Sequence, residues 1–169
     1  MIRTVLLSVA LPCWAPFAMA QGDPTIQVIE GDPEIAEAVE AARETLDLFL
    51  TNVVDSDGYS LRGADVKVAI PTGDESVKIE NIWVGPFGTP DGTRFVGALA
   101  NEPNMLAGLS LGSKVSFSRD MIVDWSIVSP DGMRFGNYTT RVVLNRMDPA
   151  QAAEIIQQFP DDPVPPDWR

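Results

Sequence analysis

The sequence contains no histidine and a single cysteine, Cys13. Without histidine, Ser-His-Asp and Cys-His catalytic groups are excluded, and so are the usual zinc sites. Cys13 lies in the N-terminal leader described below, so we expect a mature chain without disulfides, held together by its core alone. A glycine-rich phosphate-binding motif is also missing. We therefore predict no metal and no organic cofactor.

The first 20 residues have the composition of an export signal. Met1-Ile2-Arg3 gives a positively charged start, residues 5–17 are largely apolar, and Ala18-Met19-Ala20 has small residues where a signal peptidase reads the chain. We predict that residues 1–20 are a Sec-type signal peptide, cleaved at its end, and that the mature protein is periplasmic or secreted. Lipidation at Cys13 is the less favoured alternative. No transmembrane segment is predicted, because a span needs about 20 consecutive apolar residues.

Acidic residues outnumber basic ones by 24 to 12, which gives a formal net charge of −12. Such a surface would repel the phosphate backbone of nucleic acids, so we expect no nucleic-acid partner. The same charge is compatible with a basic or cationic partner. A simpler alternative is that it keeps an exported protein soluble.

Two stretches have the chemistry of helices. Asp32-Pro33 is an N-capping acid followed by proline at the first helical position. Apolar residues then recur at steps of three and four, which predicts an amphipathic helix up to about residue 52. This stripe consists of Ile35, Val39, Ala42, Leu46, Phe49 and Val53. Asp148-Pro149 repeats the start signal and predicts a short C-terminal helix, followed by an extended tail rich in proline and aspartate over residues 160–169.

The chain between these helices favours short strands joined by tight turns. The predicted strands cover residues 66–70, 77–84, 94–99, 114–117, 122–128 and 133–144, with 26–29 as a candidate edge strand. Alternation slips at Glu80-Asn81, which predicts a bulge there. The fold class is therefore α+β: a strongly curved, mainly antiparallel sheet of about five to six short strands, partly open and barrel-like, packed by the N-terminal amphipathic helix. We expect residues 21–159 to form a single domain and the protein to be a monomer.

Acids and tryptophans recur together on the predicted strands. The candidate binding residues are Glu80, Trp83, Asn101, Glu102, Asp124 and Trp125. If neighbouring strands bring them together, carboxylates would face a cleft with aromatic walls, which suits sugar binding or glycoside hydrolysis. The favoured alternative is structural: buried tryptophans form core, and the polar side chains bind indole or backbone N–H groups.

Two further motifs are weaker. Asp55-Ser56-Asp57-Gly58, with Asp65 beyond it, resembles half of a calcium loop. In the register that fits the glycine, the first and twelfth ligand positions are apolar, so a solvated turn is favoured. Asn137-Tyr138-Thr139 is an N-glycosylation motif inside a predicted strand, and we interpret it as a chance match.

A series of spaced motifs resembles a bacterial family. The motifs are Ile79-Glu80-Asn81-Ile82-Trp83-Val84, then Gly97-Ala98-Leu99-Ala100-Asn101-Glu102-Pro103, then Leu111-Gly112, then Ile122-Val123-Asp124-Trp125. Together they are similar to the YegJ-like proteins, known as domain of unknown function 2314, over roughly residues 37–146. The resemblance implies a compact α+β unit. It implies no activity, because none is established for the family.

These observations favour an exported, small, non-catalytic binding module whose partner is a protein or an envelope component. The strands that carry the tryptophans and the loop at residues 101–112 are the expected contact surface. The alternative is a carboxylate-dependent enzyme acting on envelope glycans, with Glu80 or Glu102 paired with Asp124. That alternative requires two carboxyl groups about 5–9.5 Å apart in one cleft.

Overall fold

The computed structural model describes residues 31–89 and 93–169. The predicted signal peptide and the candidate edge strand at 26–29 lie outside the described residues. In the part that is described, the chain forms four α-helices and one six-stranded sheet. The helices are α1 (Pro33–Glu44), α2 (Leu46–Val53), α3 (Tyr138–Arg146) and α4 (Pro149–Ile156). The strands are β1 (Ala64–Pro71), β2 (Ile79–Gly88), β3 (Phe95–Leu99), β4 (Lys114–Phe117), β5 (Ile122–Val128) and β6 (Arg134–Gly136).

The strands lie in the order β4-β3-β2-β1-β5-β6, and every neighbouring pair is antiparallel. This confirms the α+β class and the mainly antiparallel sheet of about six strands. The two outermost of the described strands, β4 and β6, do not pair with each other, so the sheet is not closed into a barrel. The C-terminal chain runs along the outside of β6, where the N–H of Gly136 donates to the carbonyl of Pro163 at 2.7 Å.

One face of the sheet carries the hydrophobic core. Residues directly opposite each other on neighbouring strands point to the same face. Val66 of β1 is opposite Val84 of β2 and opposite Trp125 of β5. All three side chains are fully buried in one cluster with Phe49 of α2. We call this the core face.

The other face carries polar and aromatic side chains. Lys67, the next residue of β1, is opposite Trp83 of β2 and opposite Asp124 of β5. Because strand residues alternate between faces, these three side chains point away from the core face. We call this the polar face. It also carries two exposed apolar side chains, Ile79 of β2 (55% exposed) and Val96 of β3 (38% exposed).

The predicted N-terminal helix is divided in two at Thr45. The helix start is as predicted, because the Asp32 carboxylate accepts two backbone N–H bonds from the first turn. At Thr45 the hydroxyl binds the carbonyl oxygens of Ala41 (3.2 Å) and Ala42 (3.1 Å), a type of bond that bends helices. Five of the six stripe residues are buried, namely Ile35, Ala42, Leu46, Phe49 and Val53, whereas Val39 is half-buried and Ala38 is buried in its place. None of the helices in the described ranges is both long enough and apolar enough to cross a membrane.

The bulge predicted at Glu80-Asn81 is wrong. Pairing between β1 and β2 is continuous through both residues. The irregularities lie between Val84 and Phe87, where β2 pairs with β3, and between Lys67 and Val68, where β1 pairs with β5. The first of these has a local cause: it spans Gly85-Pro86, and proline has no N–H to donate to a ladder.

The strand predicted over residues 133–144 is confirmed only at its start and is wrong after Gly136. Only Arg134–Gly136 is strand, and Tyr138–Arg146 is a helix. Gly136 (φ +69°) and Asn137 (φ +56°) take left-handed conformations that turn the chain between the two elements. A side chain at Gly136 would overlap the carbonyl and ring of Trp125, so glycine is required there by packing as well. The β-branched residues that follow favour a strand by propensity, and tertiary contacts override that preference.

The tail predicted as extended at residues 160–169 contributes to the core. Val164 is buried, and Trp168 packs with its ring centroid 5.9 Å from that of Trp125 and 6.3 Å from that of Phe49. Arg141 of α3 holds the start of this segment by donating to the carbonyl of Pro160 at 2.6 Å.

Candidate functional site

Lys67, Trp83 and Asp124 form a row across three strands of the polar face. The Lys67 ammonium lies 4.6 Å from the centroid of the Trp83 ring, a cation–π contact. The same ammonium donates a hydrogen bond of 2.9 Å to the Thr139 hydroxyl at the start of α3. Lys67 therefore connects the indole on β2 with the helix that follows β6.

Asp124 holds the N-terminus of α3. Its side chain is 1% exposed, and its two oxygens accept four hydrogen bonds. Oδ1 accepts from the backbone N–H of Trp125 (2.8 Å) and Tyr138 (3.1 Å), and Oδ2 accepts from the N–H (2.8 Å) and hydroxyl (2.6 Å) of Thr139. Burial raises the pKa of the Asp124 carboxyl, while Lys67 and these hydrogen bonds oppose the shift. The residue at the N-cap position, Asn137, makes no capping bond with its side chain. Asp124 of β5 instead accepts the first backbone N–H groups of α3.

Trp125 is a core residue. It is 0% exposed and stacks on Phe49, with ring centroids 4.8 Å apart. Its indole N–H donates to the Ala42 carbonyl (3.2 Å) and to the Thr45 hydroxyl (3.0 Å). Trp125 therefore has the structural role expected for a buried tryptophan: it forms core, and its N–H is hydrogen-bonded inside the protein.

Glu80 organises the loop between β3 and β4. It lies on the core side of β2, 9% exposed, directly opposite Ile70. One carboxylate oxygen accepts the N–H of Asn104 and the other accepts the N–H of Met105, both at 2.8 Å. Two buried acceptors thus fix two backbone donors of a loop that lacks regular structure.

Trp83, Asn101 and Glu102 lie close together where β3 ends. The Asn101 side-chain oxygen accepts the backbone N–H of Trp83 at 3.1 Å, which continues the pairing of β2 beyond Leu99. The Glu102 carboxylate accepts the N–H of Leu111 at 3.0 Å and so closes the loop. The Trp83 ring is half-buried, whereas Glu102 is exposed.

The six predicted residues do not form one cleft. Trp83 and Asp124 share the polar face through Lys67, and Asn101 and Glu102 lie beside Trp83. Glu80 is three residues before Trp83 on a continuously paired strand, so it points to the face opposite from Asp124. A glycosidase pair must face one substrate from a common cleft, and the pair Glu80 and Asp124 fails this requirement.

Two residues of the polar face, Lys67 and Asp65, were missing from the predicted set, and so was Thr139 of α3, which bonds Lys67. Asp65 lies two residues before Lys67 on β1 and opposite Ser126 of β5. Its carboxyl group lies close to Gly85 of β2: a Cβ added at Gly85 would overlap the Asp65 Oδ1. Burial raises the pKa of Asp65, and Arg134 opposes the shift. Alternation with Val66 could have placed Asp65 and Lys67 on one face, but no local signal brings Thr139 to them.

The weaker motifs have structural roles. Asp55 accepts the N–H groups of Asp57 (3.0 Å) and Tyr59 (2.9 Å) with one oxygen, which makes the segment an ordinary turn. Asn137 is buried, and its side-chain amide donates to Ser126 and to the carbonyl of Phe135. Over residues 31–89 and 93–169, no group of three or more carboxylate or other ligating side chains is arranged to hold a metal ion.

Two shallow clefts lie on the helical side of the molecule. One, of about 600 Å³, follows the outer surface of α1 between Ala36 and Glu44. The other, of about 470 Å³, lies between α1 and α3 and includes Glu34 and Arg146. None of the six predicted residues lines either cleft.

Comparison with known proteins identifies one relationship. A family model described as "Uncharacterized protein conserved in bacteria (DUF2314)" matches residues 32–159. No curated protein and no solved structure matches the chain. The matched range includes all six strands and all six predicted site residues.

Glu80→Ala and Asp124→Ala are expected to loosen different segments. The first removes the acceptors of the Asn104 and Met105 amides, and the second removes those of the first amides of α3. An unsatisfied buried N–H costs about 1–3 kcal/mol. Hydrogen exchange should therefore accelerate in the loop for the first variant and in α3 for the second. Glu154→Ala, at an exposed acid of α4, is the control and should change neither segment. Uniform acceleration across the chain in both variants would contradict these separate roles.

Asp65→Asn is expected to change how stability depends on pH. Burial raises the pKa of Asp65 above its usual 3.8, so between that value and the folded-state pKa the folded protein binds more protons than the unfolded one. By linkage, the wild-type carboxyl costs stability progressively as pH rises through this window. Asparagine does not titrate, so the variant should gain stability relative to wild type over this window and retain the gain at pH 7. Urea unfolding at a series of pH values measures the difference.

The matched control for this measurement is Glu75→Gln, which removes the same charge from an exposed turn. It should show no such gain. A difference between wild type and Asp65→Asn that stays constant with pH would show that burial does not perturb this carboxyl.

Proposed function

The chain belongs to the DUF2314 family of uncharacterised bacterial proteins, and we propose its function from its own geometry: it is an exported, non-catalytic module that binds a protein partner through the polar face around Trp83. The observation that carries this proposal is the contrast between the two predicted tryptophans. Trp125 is fully buried with its N–H bonded, whereas Trp83 is half-buried on a face that the core does not use.

The use of the buried acids supports binding over catalysis. A general acid or nucleophile needs a carboxyl oxygen that can reach a substrate. Both oxygens of Glu80 and both oxygens of Asp124 accept hydrogen bonds from the protein's own backbone or from Thr139. Glu102 is exposed and accepts the Leu111 N–H. These groups serve the architecture, so we assign them no chemical step.

The shape and composition of the polar face favour a protein over a small molecule. Small-molecule sites are concave, and the two clefts described above lie on the helical side of the molecule and not around Trp83. Around Trp83 the face carries a basic group, Lys67, and an exposed apolar side chain, Ile79. Tryptophan supplies much of the binding energy in protein interfaces when polar groups surround it. An envelope glycan is the alternative ligand that the experiment below separates.

Trp83→Ala is expected to weaken partner binding by about 30-fold, the effect of losing about 2 kcal/mol at one hot-spot residue. A photo-crosslinking residue placed at exposed position 81, beside Trp83, should form a specific protein adduct in an envelope extract of the source bacterium. The same residue at position 154 of α4 should not. Excess wild-type protein should compete for the adduct, and Trp83→Ala should compete about 30-fold less well.

Ile156→Ala is the control competitor, because it removes an exposed apolar side chain from α4. It should compete like wild type. Equal competition by Trp83→Ala would overturn the proposed surface. Loss of the adduct after glycan digestion, with the protein content intact, would assign the surface to a glycan instead.

Export is part of the proposal, and it is supported by the charged start, apolar run and small residues of positions 1–20. The full-length chain produced in a Gram-negative host should be recovered from the periplasm with Gln21 as its N-terminal residue. N-terminal sequencing after osmotic shock measures this. Recovery in the cytoplasm with Met1 intact would contradict it.

A further inference from the structure

Among the residues that the structure describes, four acidic side chains are not exposed. They are Asp32, Asp65, Glu80 and Asp124. Asp32 caps α1 and pairs with Arg146, and Glu80 and Asp124 accept the hydrogen bonds given above. Asp65 differs, because within residues 31–89 and 93–169 its carboxylate accepts no hydrogen bond and joins no ion pair. The buried side-chain atoms without a partner do not include the Asp65 oxygens, so this carboxylate remains accessible from outside the protein.

Two basic residues on the same side of the sheet as Asp65 have other contacts. Lys67 bonds the Thr139 hydroxyl and lies over the Trp83 ring. Arg134 donates its Nε–H to the side-chain oxygen of Gln158 at 3.1 Å. The electrostatic influence of Arg134 on Asp65 is too weak to cancel the effect of burial. Within the part of the chain that the structure describes, Asp65 therefore has no hydrogen-bond donor.

The carboxyl group lies on the polar face beside β2. It lies over Gly85 on β2, where any larger residue would displace it. Gly85 lies two residues beyond Trp83 on the same strand, so the carboxyl group and the indole belong to the same region of the polar face. An accessible acceptor that has no hydrogen-bond donor among the described residues suits a group that arrives from another molecule.

We infer that Asp65 receives a cationic side chain, the ammonium of a lysine or the guanidinium of an arginine, from the protein that binds the polar face. This inference rests on the proposed function and specifies the partner's chemistry. The net charge of −12 attracts a cationic segment at long range. Because Lys67 already occupies the Trp83 ring, the incoming cation is directed to the carboxylate rather than to the indole. A neutral donor, or water alone, is the competing occupant.

The test uses small probes of known chemistry and the full mature chain. The probes are N-acetyl-arginine amide and N-acetyl-lysine amide, with N-acetyl-glutamine amide as the neutral donor. Backbone amide shifts of Asp65 and Gly85 should move saturably with the cationic probes. The neutral probe should bind at least tenfold more weakly. Equal binding of the neutral probe would overturn the cationic assignment, and the absence of saturable shifts with every probe would leave Asp65 as a solvated carboxylate and overturn the inference.

Two variants separate a point contact from a general charge effect. Asp65→Asn keeps the shape and removes the charge, and Gly85→Ala keeps the charge but displaces the carboxyl group. Both should weaken the cationic probes at least tenfold. Glu75→Gln removes the same single negative charge from an exposed turn, and this variant should bind like wild type. Weakening by Asp65→Asn and Glu75→Gln alike would show long-range attraction only and overturn the inference.

The failure of this inference can be told apart from the failure of the proposed function. If Trp83→Ala loses competition for the crosslinked partner while Asp65→Asn competes fully, the polar face binds its partner and the assignment of Asp65 is wrong. If both variants compete like wild type, the proposed surface itself is wrong. Loss of competition by both variants, together with cation binding at Asp65, supports both.

Discussion

Asp124 and Trp125 are adjacent on β5 and point to opposite faces, and each attaches a different helix to the sheet. The Trp125 indole N–H reaches the carbonyl of Ala42 near the end of α1, and the Asp124 carboxylate takes the first N–H groups of α3. Both side chains are cut off from water, so their polar atoms must be bonded inside the protein. Strand β5 is therefore the element on which both helical connections depend.

The same constraint explains how the acids that accompany the tryptophans are used in the fold. Glu80 accepts backbone N–H groups from the loop after β3, and Asp124 accepts backbone N–H groups from the start of α3. Neither set of N–H groups belongs to a strand pairing. A carboxylate with two oxygens can satisfy several such donors at once. In this protein, Glu80 and Asp124 therefore accept hydrogen bonds from backbone N–H groups that helix or strand pairing does not satisfy. Asp65 stands apart because, among the described residues, no hydrogen-bond donor reaches its carboxylate.

Sequence reasoning succeeded where a local pattern fixes the outcome. The cap at Asp32, the apolar stripe from Ile35 to Val53 and the alternation in β1 each follow from neighbouring residues alone. It failed where distant contacts decide. Residues 138–146 favour a strand by composition, yet Asp124 supplies acceptors that make a helix start there. The bulge was misplaced because the slip at Glu80 reflects a buried acid that binds a loop, and not a change in pairing.

The sequence by itself determined most of the elements, the absence of histidine-based chemistry, the acidic charge and the family. It also indicated that acids and tryptophans would lie together on strands. Only the tertiary structure decided which of them are buried and which groups they bond. The donors that occupy Glu80 and Asp124 include backbone groups 14 to 25 residues away along the chain, and register alone placed Glu80 and Asp124 on opposite faces. Hydrogen-bond satisfaction across such separations depends on where the strands pair, and no local pattern of residues encodes it.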